Sequence, residues 1–141
     1  MIYLLMTESK APILDQIFAE LRSRCDTDGY IHTFYVDDLE RWSGLLGLPW
    51  FESLNCIGIE LAKRYDSGSV NYAFGNSLAN ELWSEMISRL EEMPEGCWPL
   101  QFDEVYSAFD AGEFRRKKDG EADPVKLYTD PMIMDFVASL S

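Results

Sequence analysis

Apolar residues recur along most of the chain at the three- and four-residue spacing of amphipathic α-helices. The clearest pattern spans 70–92, where an apolar residue returns at every fourth position. A second stripe follows Pro12, and a third follows Pro49. The residues that define these three stripes are Phe74, Leu78, Leu82, Met86 and Leu90; Ile13, Leu14, Ile17, Phe18 and Leu21; and Trp50, Leu54, Ile57, Leu61 and Tyr65.

Glycine, proline and capping residues divide these patterns into five or six helices. Ser9 is predicted to cap the first helix, with Pro12 in its first turn. Asp37 and Glu40 have the spacing of a capping box, which predicts a short helix that stops at Gly47. The remaining predicted helices begin at Pro49, after the Asp66–Ser69 turn, at Phe102, and at Asp130, where an N-cap aspartate precedes an N1 proline.

One stretch of the N-terminal half is ambiguous. Residues 30–36 are rich in β-branched and aromatic side chains, which are typical of a short strand. No second stretch pairs with it, and a strand without a partner is not stable. The sequence therefore predicts an all-α fold, a single compact domain over 1–141, in which a short N-terminal strand remains an open alternative.

The net charge of the chain bears on its function rather than on its fold. The chain has 25 acidic and 12 basic residues, a net charge of −13, although its 47% hydrophobic content rules out disorder. A small soluble domain commonly carries about 2 to 8 net charges, and a larger excess costs stability by self-repulsion. Such a charge disfavours direct nucleic-acid binding and favours a basic partner. It is densest over 71–113, where nine acids accompany one base, Arg89.

Few residues in the sequence are arranged in a pattern that suggests catalysis or metal binding. The single histidine, His32, has no partner at metal-ligand spacing, and the Asp26–Gly29 turn fails as a calcium loop because Tyr30 occupies a ligand position. No phosphate-binding or nucleophile motif occurs. We expect no catalytic residue, metal or cofactor, and hence a binding protein rather than an enzyme. A small carboxylate-dependent hydrolase remains an alternative, as does a general acidic adaptor or nucleic-acid mimic.

The location of the chain follows from similar arguments. No apolar run approaches the length of a membrane span, and the N-terminus lacks the pattern of a secretory signal. Three widely spaced cysteines fit reduced thiols better than a disulfide framework. We expect a cytoplasmic protein without a membrane partner, of undetermined oligomeric state.

Seven residues are candidates for binding a basic partner. The acids are predicted to lie on two helices, and the spacing of Glu81, Glu85 and Glu92 predicts that these three share one face of the first. Trp98 lies in a proline-bounded loop, where it either packs on the core or anchors a partner. A solvated acidic face is the alternative for the carboxylates, and a helix end paired with Arg115 or Arg116 is the alternative for the last two. The candidates are Glu81, Glu85, Glu92, Trp98, Asp103, Asp110 and Glu113.

The second half of the chain, over about 70–136, resembles small bacterial immunity proteins of polymorphic and contact-dependent growth inhibition toxin systems. The resemblance rests on Tyr72, Phe74 and Asn80, on the run YSAFDAGEF over 106–114, on Asp123 with Pro124, and on the run YTDPMI over 128–133.

The resemblance implies a cytosolic antitoxin that binds one toxin domain, often a basic nuclease, and blocks its active site. The charge argument agrees with it, because an acidic protein can occupy a surface built for phosphate and accelerate association. Tight inhibition also needs buried anchors, commonly aromatic. We therefore expect a cognate basic toxin domain as the partner.

Overall fold

Six α-helices account for most of the computed structural model, which describes the backbone of residues 2–140 and the side chains from residue 10 onward. The helices are α1 (Ile2–Arg22), α2 (Asp38–Leu46), α3 (Trp50–Asp66), α4 (Tyr72–Ser88), α5 (Leu100–Ala111) and α6 (Asp130–Ala138). Short 3₁₀ turns lie at Leu90–Glu92 and Lys117–Asp119, and a π-helical turn, Val125–Thr129, leads into α6. The predicted all-α fold is confirmed.

Helix α3 is the centre of the packing. It lies against α2, α4, α5 and α6, while α4 also packs on α5, and α1 on α2. The stripe predicted after Pro49 supplies this contact, since Leu54, Ile57 and Leu61 are fully buried. Gly47 ends α2 in a left-handed conformation with φ 68°, as predicted from its position.

One hydrophobic core joins all six helices and includes the bulky side chains Trp42, Phe18, Phe102 and Phe109. Helices α4 and α5 approach closely where Gly75 faces the ring of Phe109. A Cβ built on Gly75 would lie 2.3 Å from that ring, which is inside any real contact. The glycine therefore sets the spacing of these two helices.

The N-terminal half differs from the prediction in two places. The first helix begins at Ile2, so Ser9 and Pro12 lie within α1 rather than at its start; the Ser9 side chain lies outside the described side chains. Over 30–36 the strand that the sequence leaves open as an alternative does not form. The described chain has no strand there, and Cys25 with Ile31 makes only an isolated antiparallel bridge.

Two predicted caps are also wrong. Asp37 occupies the N-cap position of α2 but its side chain makes no capping hydrogen bond, while its neighbour Asp38 accepts one from the Tyr35 amide at 2.8 Å. Asp130 is already helical, since the π-helical turn precedes it, and its carboxylate accepts a hydrogen bond from the Tyr65 hydroxyl at 2.6 Å. At Asp130, therefore, a tertiary contact occupies the carboxylate that the sequence predicts as a cap.

Two predicted helices are shorter than expected. The stripe over 70–92 ends as an α-helix at Ser88, and Glu92 lies in the 3₁₀ turn that follows. The helix predicted over 102–114 ends at Ala111, so Glu113 lies beyond its last turn. Asn71 caps the start of α4 by accepting the Phe74 amide at 3.0 Å.

None of the helices in the described chain combines the length and apolar character that a membrane crossing requires.

Candidate partner-binding surface

Aromatic side chains pack together where α4, α5 and the loop before α5 meet. Trp83 of α4 stacks on Tyr106 of α5, with ring centroids 4.0 Å apart and planes within 10°. Trp98 meets the same indole edge-on at 6.0 Å and 82°. Phe102 lies beneath them, fully buried, and joins the cluster to the core. The three upper rings are only partly covered, so the cluster extends from the core to the surface.

Trp98 is both fixed and accessible. Its indole N–H donates to an Asp103 carboxylate oxygen at 2.8 Å, and the other oxygen of Asp103 accepts from the Ser107 hydroxyl at 3.3 Å. Gly96, with φ 78°, allows the preceding loop to turn back toward α5. The residue nevertheless remains 37% exposed. Trp98 is therefore anchored to α5 and also presented to solvent, and its role as an anchor for a partner stays a prediction.

Further apolar side chains lie beside this cluster. Ile87 is one turn after Trp83 on α4 and is 44% exposed, and Leu100 at the start of α5 is 67% exposed. Exposed apolar residues that cluster in this way are typical of binding surfaces. We call the surface made by Trp83, Ile87, Trp98, Leu100 and Tyr106 the α4–α5 face.

Carboxylates border this face along α5. Asp103 lies one turn after Leu100, and Asp110 and Glu113 lie close enough to Tyr106 that, with burial, they raise the pKa of its hydroxyl. Glu113 accepts a hydrogen bond from the Asn80 amide of α4 at 2.8 Å, so it bridges the two helices from beyond the end of α5. Three predicted acids therefore surround the aromatic cluster.

The other predicted acids lie elsewhere. Glu81 and Glu85 share a face of α4, as expected, but that face turns toward α2, where both line a small crevice with Tyr35 and Asp38. Burial raises the pKa of Glu81, and the negative charges of Glu85 and Asp38 raise it further. Glu92 is exposed in the 3₁₀ turn and does not continue this face. The prediction of one helix face shared by all three is wrong because α4 ends at Ser88.

Glu113 also does not pair with a neighbouring arginine. Arg115 donates to the Glu121 carbonyl at 2.6 Å. Arg116 donates to the Ala111 carbonyl at 3.0 Å and lies over the ring of Tyr128, 3.8 Å from its centroid. Both arginine side chains therefore bond to nearby backbone carbonyl groups, and neither of them neutralises Glu113.

The other arginines are also bound within the chain. Arg22 donates to the Ser69 carbonyl, and Arg64 and Arg89 pair with acids, Arg64 with Asp15 and Glu60. Arg89 lies 3.5 Å from Glu40 and 3.4 Å from Glu85. With Arg24 and Arg41, all seven arginines of the sequence make such a bond. Guanidinium groups thus serve the fold, while carboxylates of the α4–α5 face remain without a cationic partner among the described side chains.

An ionic network that joins α1 and α2 is not predicted from the sequence. Asp38, 4% exposed, accepts from Arg24 at 2.7 and 3.1 Å and from Arg41 at 3.0 Å. Glu20 binds both arginines and accepts the Trp42 indole N–H at 3.1 Å. Burial alone would raise the pKa of Asp38, but the bonds from Arg24 and the Tyr35 amide hold it below its usual value. Sequence spacing does not reveal the network, because the bonds that join its two halves connect residues 14 to 22 positions apart.

A groove also lies away from the α4–α5 face, between the end of α3, the start of α4 and α6. It is open to solvent and lined by residues that include Tyr65, Tyr72, Lys126 and Asp130. Two of its polar groups are already bonded, since Tyr65 donates to Asp130 and the Tyr72 hydroxyl donates to the Phe109 carbonyl at 2.6 Å. Burial is the main reason why the pKa of both tyrosines is raised, so neither is prepared to act as a base.

Within the described residues, no three histidine, cysteine, aspartate or glutamate side chains come together in a way that could hold a metal ion. Comparison with known proteins gives no relative from which a role could be transferred: no family model matches the chain, and no curated protein or solved structure matches it.

Proposed function

We propose that this protein is an immunity protein, an antitoxin that binds a cognate basic toxin domain, such as a nuclease, and blocks its activity. In this proposal the chain acts by binding in the cytoplasm and catalyses no reaction. The observation that carries the proposal is the α4–α5 face, where a partly exposed aromatic cluster is bordered by carboxylates that have no cationic partner among the described side chains.

The charge distribution supports a basic partner. The chain has a net charge of −13, and its arginines are bound to its own carboxylates and carbonyl groups. Over 71–113 nine acids accompany one base, Arg89, which pairs with Glu85, so the remaining acids project a negative field. A field of this kind accelerates association with a positive surface, to about 10⁸–10⁹ M⁻¹s⁻¹ at low salt.

The aromatic cluster supports tight binding rather than only electrostatic attraction. Tryptophan and tyrosine in a fixed position contribute much of the affinity at protein interfaces, because they bury a large area and lose little conformational entropy. Trp98 is already held by Asp103 and Trp83, so binding need not order it. The polar border around the rings matches the usual arrangement of an apolar centre and a charged rim.

A co-expression experiment tests the proposal. An immunity gene is expected directly downstream of its toxin gene, so the C-terminal domain encoded upstream is expressed under an inducible promoter with or without this chain. We expect cells to survive induction only when the chain is present, and the two proteins to copurify. A Trp98→Leu, Asp110→Lys, Glu113→Lys variant serves as the matched control and should fail to protect. Neither protection nor a complex with the wild-type chain would remove the proposal.

A further inference from the structure

The α4–α5 face has a chemical preference that its charge alone does not give it. Two of its indole rings stand almost perpendicular, at 82°, and one of them, Trp98, is 37% exposed. The carboxylate of Asp103 holds the Trp98 indole from one side, and the Asp110 carboxylate, farther along the same helix, has no hydrogen bond or ion pair among the described side chains. A planar aromatic surface next to negative charge is a binding site for a planar cation.

We propose that the α4–α5 face binds an arginine-bearing segment of a partner protein, and that it prefers arginine to lysine, with a guanidinium group stacked on Trp98. This inference rests on the proposed function, since it names the chemistry of the partner at the same surface. The occupant is a basic protein segment that also carries an apolar side chain, which Ile87 and Leu100 would cover.

Arginine fits this surface better than lysine for geometric reasons. A guanidinium group is flat, so it stacks on an indole ring while its edge N–H groups still donate to carboxylates. An ammonium group is compact and strongly hydrated, and it gains less from an aromatic face. The chain itself already uses this contact, because Arg116 lies 3.8 Å from the Tyr128 ring centroid and Arg24 lies 4.8 Å from that of Tyr35. On the α4–α5 face the ring is present and the cation is not.

The surface is built before a partner arrives. The Trp98 ring is fixed by its hydrogen bond to Asp103 and by its edge contact with Trp83, which is itself stacked on Tyr106. Asp103 in turn accepts from Ser107. A partner side chain therefore meets a fixed ring and a fixed carboxylate, which makes the preference for one cation shape stronger than on a mobile surface.

Two synthetic peptides test the inference without the toxin. Both alternate a basic residue with leucine and glycine, and they differ only in that every arginine of the first is lysine in the second. Calorimetry gives their affinities for the full-length chain at low salt. We expect the arginine peptide to bind about fivefold to tenfold more tightly, the range that stacking on an aromatic ring provides. Equal affinities, or no binding of either peptide, would overturn the inference.

A variant identifies the ring responsible. Trp98→Leu keeps apolar bulk in the loop but removes the indole, so the two peptides should bind it equally. A preference for arginine that persists in this variant contradicts the role of Trp98. Met134→Ala, at an exposed position of α6, is the control and should keep the preference. In NMR spectra of the wild-type chain, the indole N–H signals of Trp83 and Trp98 should move on peptide addition, while that of the buried Trp42 should not.

The results separate this inference from the proposed function. If the chain protects cells from the toxin but shows no arginine preference, the antitoxin role stands and the stacking contact is wrong. If the arginine preference is found and protection is not, the surface is a binding site for another arginine-bearing protein and the antitoxin role falls.

Discussion

At the scale of single residues, neighbouring side chains of the same type have opposite roles. Asp37 is exposed and caps nothing, whereas Asp38 is buried and receives bonds from two arginines and a backbone amide. In the sequence both are acids at a helix start, and the capping-box spacing predicts that Asp37 caps the helix, although its side chain makes no capping hydrogen bond. Only the fold shows which carboxylate is buried, because Arg24 reaches Asp38 from the turn after α1.

Replacing Asp38 with asparagine should destabilise the fold by about 2–3 kcal/mol, since it leaves the buried Arg24 guanidinium with only one of its two carboxylate partners, Glu20. The pKa of Asp38 is lowered in the folded chain, so its stabilisation is complete at neutral pH and is lost as the pH falls through that lowered value. The difference between wild type and variant should therefore shrink below about pH 4, where unfolded aspartate becomes protonated.

Urea unfolding at several pH values measures this difference. Asp37→Asn is the matched control and should change stability by less than about 0.5 kcal/mol, as expected for an exposed substitution. Similar losses for both variants would mean that the network is not what stabilises the join between α1 and α2.

At the scale of helices, the periodicity predicted most of the fold. The stripes of α3 and α4 bury their apolar residues as expected, and Gly47 ends α2. Helix ends were less predictable, because they depend on contacts between distant residues. The Tyr65 hydroxyl donates to the carboxylate of Asp130, 65 positions away, at the point where α6 continues the π-helical turn without a break. The pairing of Trp83 with Tyr106, and so the α4–α5 face, depends in the same way on how two helices align.

Two helical glycines should respond in opposite ways to replacement by alanine, because Gly75 lies in the close contact of α4 and α5 and Gly44 faces open space. Gly75→Ala should destabilise the fold by about 1–3 kcal/mol, because the new methyl group has no space beside Phe109. Gly44→Ala, in α2, meets nothing within 4 Å and should stabilise it by about 0.5–1 kcal/mol through helix propensity. Thermal unfolding of both variants checks the expectation. Destabilisation by Gly44→Ala, or tolerance of Gly75→Ala, would contradict the packing described.

At the scale of the whole molecule, the sequence established that charge is in excess but not where it acts. The acids predicted to form one surface occupy two: Glu81 and Glu85 face α2, and Asp103, Asp110 and Glu113 surround the aromatic cluster. The charge count over 71–113 could not separate them, because α4 presents acids on one side and Trp83 on the other. A count of basic residues also could not show that all seven arginines bond to groups within the chain.

Charge reversal on the α4–α5 face should slow association with the toxin domain. Asp110→Lys with Glu113→Lys should lower the association rate at least tenfold at low salt, and the loss should diminish near 1 M salt, where the screening length is about 3 Å. Glu121→Lys with Asp135→Lys changes the net charge by the same amount on other surfaces and should have a smaller effect. Stopped-flow measurements compare the two. An equal effect of both pairs would show that only net charge matters.

The internal bonding of the arginines has a consequence for how such a chain can change over generations. The residues that hold the fold together, such as Arg24 with Asp38, are separate from those that the α4–α5 face exposes, such as Ile87 and Leu100. Substitutions at the exposed positions remove little that the helices need. A descendant could therefore exchange one binding preference for another through a few surface changes, while selection for a folded protein acts on a different set of residues.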